Sequence, residues 1–129
     1  MLKRYTSRFP HALRGITYAA QKDFGFRTQI YGIGLTITII IYLIAPLTST
    51  ELLFICLAYV MILITELQNS ALEIALDRLH PELHNAIGKS KDMAAGAVLI
   101  AGFFLAVVLT SLIYARSEVL QDLLWFILK

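Results

Sequence analysis

Three stretches of the chain carry no charged side chain: Thr28 to Thr50, Leu52 to Thr65 and Met93 to Ala115. The first and third, 23 residues each, would reach about 34 Å as helices, enough to cross a hydrocarbon core of about 30 Å. The second is too short alone. It spans only if its helix carries Glu66, and with it the approach to Glu73, into the membrane or its boundary. Counting about 1.5 Å per residue from Glu51 sets Glu66 about 22 Å along, in the inner half of the bilayer. The pattern therefore predicts an all-α integral membrane fold, one domain over 1–129, with transmembrane helices over 28–50, 51–76 and 92–115.

Before the first span the period changes. Tyr5, Phe9, Leu13, Ile16, Ala20 and Phe24 recur every three or four positions, with Arg4, Arg8, Arg14 and Lys22 between them. Such spacing predicts an amphipathic helix over 1–27 lying on the membrane surface, with a break near Pro10. No uninterrupted apolar run precedes Arg14, which speaks against a cleaved signal peptide. Pro46 with Thr48, Ser49 and Thr50 marks a turn and a helix start, and Gly88 with Ser90 and Asp92 marks the start of the third span. The tail over 116–129, with Leu120, Leu123, Leu124 and Trp125, reads as an interfacial segment with Trp125 at headgroup level.

Composition agrees, since 58% of the chain is hydrophobic and 16% charged, which excludes an ordinary soluble domain. Lys3, Arg4, Arg8, Arg14, Lys22 and Arg27 precede the first span and Arg78, Lys89 and Lys91 separate the second from the third, against only Arg116 and Lys129 elsewhere. This asymmetry places the amino terminus and the second loop in the cytoplasm. Cys56 is the lone cysteine, so no intrachain disulfide forms. The small residues Gly32, Gly34, Ala94 to Ala97, Ala101 and Gly102 allow close helix approach. Three helices alone scarcely enclose a polar stripe, so a homo-oligomer is expected.

That stripe is the chemical signal. Glu66, Asn69, Glu73 and Asp77 fall at helical spacing on one face of a single run, opening toward the cytoplasm. Carboxylates at this depth are costly and usually bind, relay or catalyse. A carboxylate in low dielectric suits Glu66 to general-base work, while Glu73, about two turns on, can hold a divalent metal with a second carboxylate such as Asp23. Magnesium shared between carboxylates and substrate phosphates suits phosphoryl transfer, with Lys91 neutralising charge. The plain alternative is that Glu66 and Asn69 glue helices together and that Asp77 and Arg78 form an interfacial pair.

The segment Glu66-Leu67-Gln68-Asn69-Ser70-Ala71-Leu72-Glu73-Ile74-Ala75-Leu76-Asp77-Arg78, followed by Lys91-Asp92-Met93-Ala94-Ala95-Gly96-Ala97-Val98-Leu99, resembles the signature of the prokaryotic diacylglycerol kinase family, which includes undecaprenol kinases. The resemblance runs from about Arg4 to Tyr114. It implies a homotrimeric lipid kinase with shared sites in a bacterial cytoplasmic membrane, transferring phosphate from ATP, with Mg2+, to a lipid alcohol. It further implies Glu66 as catalytic base, Asn69 as support, and Asp23 and Glu73 as metal ligands. Nucleotide contacts would come from Arg4, His11, Asp23, Glu73, Glu82, His84, Lys91 and Asp92, and lipid contacts from Arg14, Arg27, Gln29, Glu66 and Ala95. Leu13-Arg14-Gly15 and Phe26-Arg27 match the family's surface-helix pattern. The family's second metal carboxylate is normally a glutamate; this chain offers the shorter Asp23. The compact loop between Asp77 and Asp92 resembles the diacylglycerol branch and the apolar tail Leu123 to Leu128 the polyprenol branch, so diacylglycerol is the expected substrate and undecaprenol the alternative.

Other motifs are decoys. Gly88-Lys89-Ser90 ends like a P-loop, but Leu83 stands where the first glycine is required. His80-Pro81-Glu82-Leu83-His84 lacks the order and third ligand of a zinc site and reads as a turn. The basic amino terminus carries aromatics suited to a membrane rather than to nucleic acid. The rival from another class is a small proton-coupled transporter or membrane assembly subunit with Glu66 as its proton site; it has no need of Lys91-Asp92 or Asp23.

Overall fold

A computed structural model describes residues 9–79, 84–117, 121, 125, 126 and 128. Helix α1 covers Phe9–Lys22 and α2 covers Phe24–Ile44. Helices α3, Ser49–Leu79, and α4, Asn85–Ala115, follow; among the described residues there is no strand. Helices α2, α3 and α4 are each long and apolar enough to cross a membrane. The chain is an all-α membrane protein.

Burial follows a helical seam. On α3 the buried positions are Ile55, Ala58, Ile62, Glu66 and Ser70, spaced by three and four residues so that they share one face. On α4 they are Ala101, Leu105 and Leu109, one turn apart. The apolar members of both sets and Ile37 of α2 form the core, and α3 against α4 is the main interface. Full burial of one such aliphatic side chain contributes about 1.5–3 kcal/mol where water is the alternative; within lipid the gain is close packing instead. The seam runs from three apolar residues straight into a carboxylate.

Helix ends are set by local hydrogen bonding rather than by the charge-free runs. The first span begins at Phe24 and ends at Ile44, with a cis Ala45–Pro46 bond after it. Thr48 and Glu51 make a reciprocal cap at the start of α3: Thr48 N donates to Glu51 Oε2 at 2.7 Å and Glu51 N to Thr48 Oγ1 at 3.3 Å. Arg116 ties the ends of α3 and α4 together, donating to Glu51 Oε2 at 2.9 Å and to the Pro46 carbonyl at 3.2 Å. At the other end α4 starts at Asn85, ahead of the expected Gly88 to Asp92, because His84 Nδ1 accepts the Ala86 N–H at 3.2 Å and caps it there. Helix α1 runs without a break from Phe9 through Pro10 to Lys22, so the break expected near Pro10 does not fall within the described residues.

Helix α2 is not uniform. Between α-helical segments at Phe24–Thr28 and Gly34–Ile44 lies a π-turn, Gln29–Ile33. Gly34 N–H reaches Gln29 O and Tyr31 O. The Tyr59 hydroxyl of α3 donates to Ile30 O at 3.2 Å or Gln29 O at 3.3 Å.

Candidate functional site

Asp23 sits at the joint between α1 and α2. Its backbone N–H still bonds Ala19 O at 3.0 Å while its Oδ1 accepts the Phe26 N–H at 2.7 Å, so it is the N-cap that starts α2 in a new direction. This cap fixes a carboxylate beside the first turn of the first span. The same turn brings Gly25 against α3, where a side chain at Gly25 would collide with the Glu66 carboxylate. Glu66 is 8% exposed, and the charges of Asp23 and Glu73 both bear on it. Two carboxylates, Asp23 and Glu66, thus meet beside Gly25 at one end of the core, with Glu73 about two turns further along α3.

One turn and more further along α3 the environment becomes wet. Lys91 of α4 places Nζ 3.0 Å from Glu73 Oε1 and 2.9 Å from Asp77 Oδ1. Both carboxylates are more than half exposed, so these pairs add little to stability and can be exchanged for other partners. Asn69, Glu73, Lys91, Asp92 and Ala95 line one recess of about 230 Å³ between α3 and α4. A second groove of about 390 Å³ lies between α1 and α3; Ala12, Gly15 and Ile16 line it from one helix and Leu67, Ser70, Ala71 and Ile74 from the other, with Asp23 also in its lining. A charged recess thus includes Glu73, and an apolar groove takes in Leu67 and Ser70, the neighbours of Glu66 on α3.

Of the expected set, Asn69, Glu73, Lys91, Asp92 and Ala95 share one recess, while Asp23 lies apart from them, beside Glu66 at Gly25. Gln29 lies in the π-turn, with a buried Oε1 that has no hydrogen-bond partner among the described residues. His11 and Arg14 pair with each other on exposed α1, Arg14 Nη2 standing 3.3 Å from His11 Nδ1, and neither they nor Arg27 line the two recesses. His84 serves as a helix cap. Arg4 and Glu82 lie outside the described residues, as do His80 to Leu83 and much of the tail. Asp77, read only as part of the stripe or as a partner of Arg78, takes Lys91. Gly25, Ser70 and Tyr59 were not singled out from sequence. A glycine in the first turn after an Asp cap was the available signal for Gly25.

Among the described residues no three His, Cys, Asp or Glu side chains converge as a ready metal cage. A magnesium ion needs no such cage, because one or two carboxylates with substrate phosphates and water complete its octahedron. Asp23, beside Glu66 at Gly25, and Glu73, in the recess with Lys91, are the carboxylates of this end with the chemistry of that donor set.

A family model described as prokaryotic diacylglycerol kinase matches residues 10–113. A diacylglycerol kinase of Escherichia coli (strain K12) is 28% identical over 91 residues, covering 70% of this chain and 73% of the relative. A diacylglycerol kinase of Shigella flexneri shows the same identity and coverage. One from Haemophilus influenzae is 28% identical over 91 residues, covering 70% of this chain and 75% of the relative.

Proposed function

Because the chain belongs to the prokaryotic diacylglycerol kinase family and is a membrane lipid kinase, we propose that it transfers the γ-phosphate of ATP to the free hydroxyl of diacylglycerol, with Glu66 as base. The observation that carries this reading is the step in environment along one face of α3. Glu66 ends a hydrophobic seam, while Glu73 and Asp77 are hydrated and paired with Lys91. A lipid alcohol and a polyphosphate need those two environments side by side.

In this reading Glu66 takes the proton of the lipid hydroxyl as that oxygen bonds to the γ-phosphorus and the bond to the ADP oxygen breaks. Asp23 and Glu73 would hold Mg2+, which would supply charge neutralisation to the phosphates. Lys91 leaves the two carboxylates for the phosphate oxygens, with Asn69 and Asp92 in the same recess fixing the approach. The groove between α1 and α3 accepts the apolar body of the lipid, and Gln29 offers its buried acceptor nearby. A cytoplasmic location of this end, at a bacterial inner membrane, is supported by the excess of basic residues before α2 and between α3 and α4. The apolar side chains left exposed on α1, Phe9, Leu13 and Ile16 among them, suit burial in the membrane surface and against further copies, as in a homotrimer.

Purified protein with magnesium and ATP is expected to turn dioleoylglycerol into phosphatidic acid, and Glu66→Gln to abolish this with the fold retained. Turnover on undecaprenol alone would reassign the lipid; turnover on neither would remove the enzyme reading.

A further inference from the structure

The π-turn in α2 has no local cause. Gln29–Ile33 holds no proline, and a Cβ added at its glycine, Gly32, would meet only the Thr28 methyl at 3.8 Å. Its partner lies across the helix interface. Gly34 N–H bonds Gln29 O and Tyr31 O, so the bond an α-helix would make from Gly34 to Ile30 O is absent from that pair, and the Tyr59 hydroxyl reaches Ile30 O at 3.2 Å. Gly34 admits the phenol, since a Cβ there would lie 2.8 Å from Tyr59 Oη.

The geometric effect reaches the site. Gly25 faces Glu66 and Gly34 faces Tyr59, so both glycines point at α3. In an unbroken α-helix two positions nine apart point about 180° apart, at about 100° per residue. A π-turn takes up one residue without advancing the face, so the pair behaves as if eight apart, about 80°. The turn is what lets one helix present Gly34 to Tyr59 and Gly25, with Asp23 beside it, to Glu66.

We infer that Tyr59 is a positioning residue: by holding the π-turn open it sets the rotation of the Asp23–Arg27 end of α2 against Glu66 and so the spacing of the carboxylates that act on lipid and metal. This rests on the kinase reading given above. Loss of the hydroxyl leaves Ile30 O short of its donor and favours relaxation to α-helix, which swings Asp23 and Gly25 about the axis by one residue, about 100°.

The test compares wild type, Tyr59→Phe, removal of Tyr31, and both together, measuring kcat, the ATP KM, the Mg2+ concentration for half activation, and thermal unfolding in one detergent. Tyr31 is 65% exposed, and its removal deletes the residue that the π-turn absorbs. Tyr59→Phe is expected to lower kcat by about tenfold or more, since ångström misplacement costs up to about a hundredfold, and to raise the Mg2+ requirement with the ATP KM little changed. Removing Tyr31 from that variant restores most of the turnover and the Mg2+ response, because an unbroken α-helix one residue shorter keeps the register. Unchanged kcat and Mg2+ dependence in Tyr59→Phe, or a double variant no better than it, overturns the inference. Should Tyr59→Phe fail to fold, removal of Tyr31 alone decides: retained turnover supports the register argument and lost turnover overturns it. Wild-type turnover in the same assay separates failure here from failure of the kinase reading.

Discussion

Alanine at Gly25 should separate stability from activity in opposite directions. Gly25 lies in the first turn of α2 with a negative φ, so alanine can adopt its backbone, and helix propensity alone favours the change by up to about 1 kcal/mol. The only side chain an added Cβ meets closely is the far end of Glu66, with Cδ at 3.1 Å and Oε1 in collision. That end is flexible, so the fold yields by turning the carboxylate aside by more than about an ångström, a displacement that costs a positioned catalytic group about a hundredfold. A hundredfold is about 2.7 kcal/mol of barrier. Purified Gly25→Ala, assayed for magnesium-ATP-dependent lipid phosphorylation and for thermal unfolding in the same micelles, is expected to unfold no earlier than wild type while kcat falls about a hundredfold. Full kcat would show that Glu66 does not act from this position. A loss of turnover matched by a loss of folded protein would show that the contact is structural instead.

Asp23 combines a cap and a charge, and two substitutions divide them. Asparagine keeps the cap to Phe26 N–H, so Asp23→Asn should unfold as wild type does while requiring several times more Mg2+, whereas Asp23→Ala should show the same metal defect and lose about 1 kcal/mol of stability besides; equal Mg2+ titrations for asparagine and wild type would remove Asp23 from the metal. Lys91→Met leaves Glu73 and Asp77 unpaired on an exposed face and is expected to raise the ATP KM at least about tenfold, the scale of one charge-assisted contact, with unfolding little changed; an unaltered KM would place the phosphates elsewhere. Arg116→Met removes the tie to Glu51 and Pro46 at the end of the bundle opposite Glu66, Glu73 and Asp77, so it should lower the unfolding temperature while leaving both KM values alone.

Uncharged runs were enough to find the first and third spanning helices, because charge is what the hydrocarbon excludes, and the second followed only by carrying Glu66 into its span. They did not give helix ends. Helix α3 continues from Glu66 to Leu79, and α4 begins before Met93, since a helix needs only backbone bonds and a cap, and Thr48 and His84 supply the caps. The acidic stripe was legible from the 3.6-residue period, and its Glu66 is indeed where the buried seam of α3 turns polar. The pairing of Lys91 with Asp77 and the π-turn at Gln29–Ile33 were not, because each depends on a contact between helices. Tyr59 lies 29 residues from Ile30, and nothing near Ile30 announces it. Asp23 was noticed as a carboxylate and missed as a cap, although an Asp three residues before a bonded N–H is an ordinary capping arrangement.

At about 1.5 Å per residue the 31 residues of α3 measure about 46 Å, some 16 Å more than a typical hydrocarbon core. The surplus is roughly the rise from Glu66 to Asp77, so the helix works as a dipstick whose lower graduation is greasy and whose upper one is wet. Turnover becomes a function of membrane thickness: bilayers of longer acyl chains submerge Glu73 and short-chain bilayers leave Glu66 out of reach of a lipid hydroxyl. The enzyme should run fastest in lipids whose depth matches that ruler.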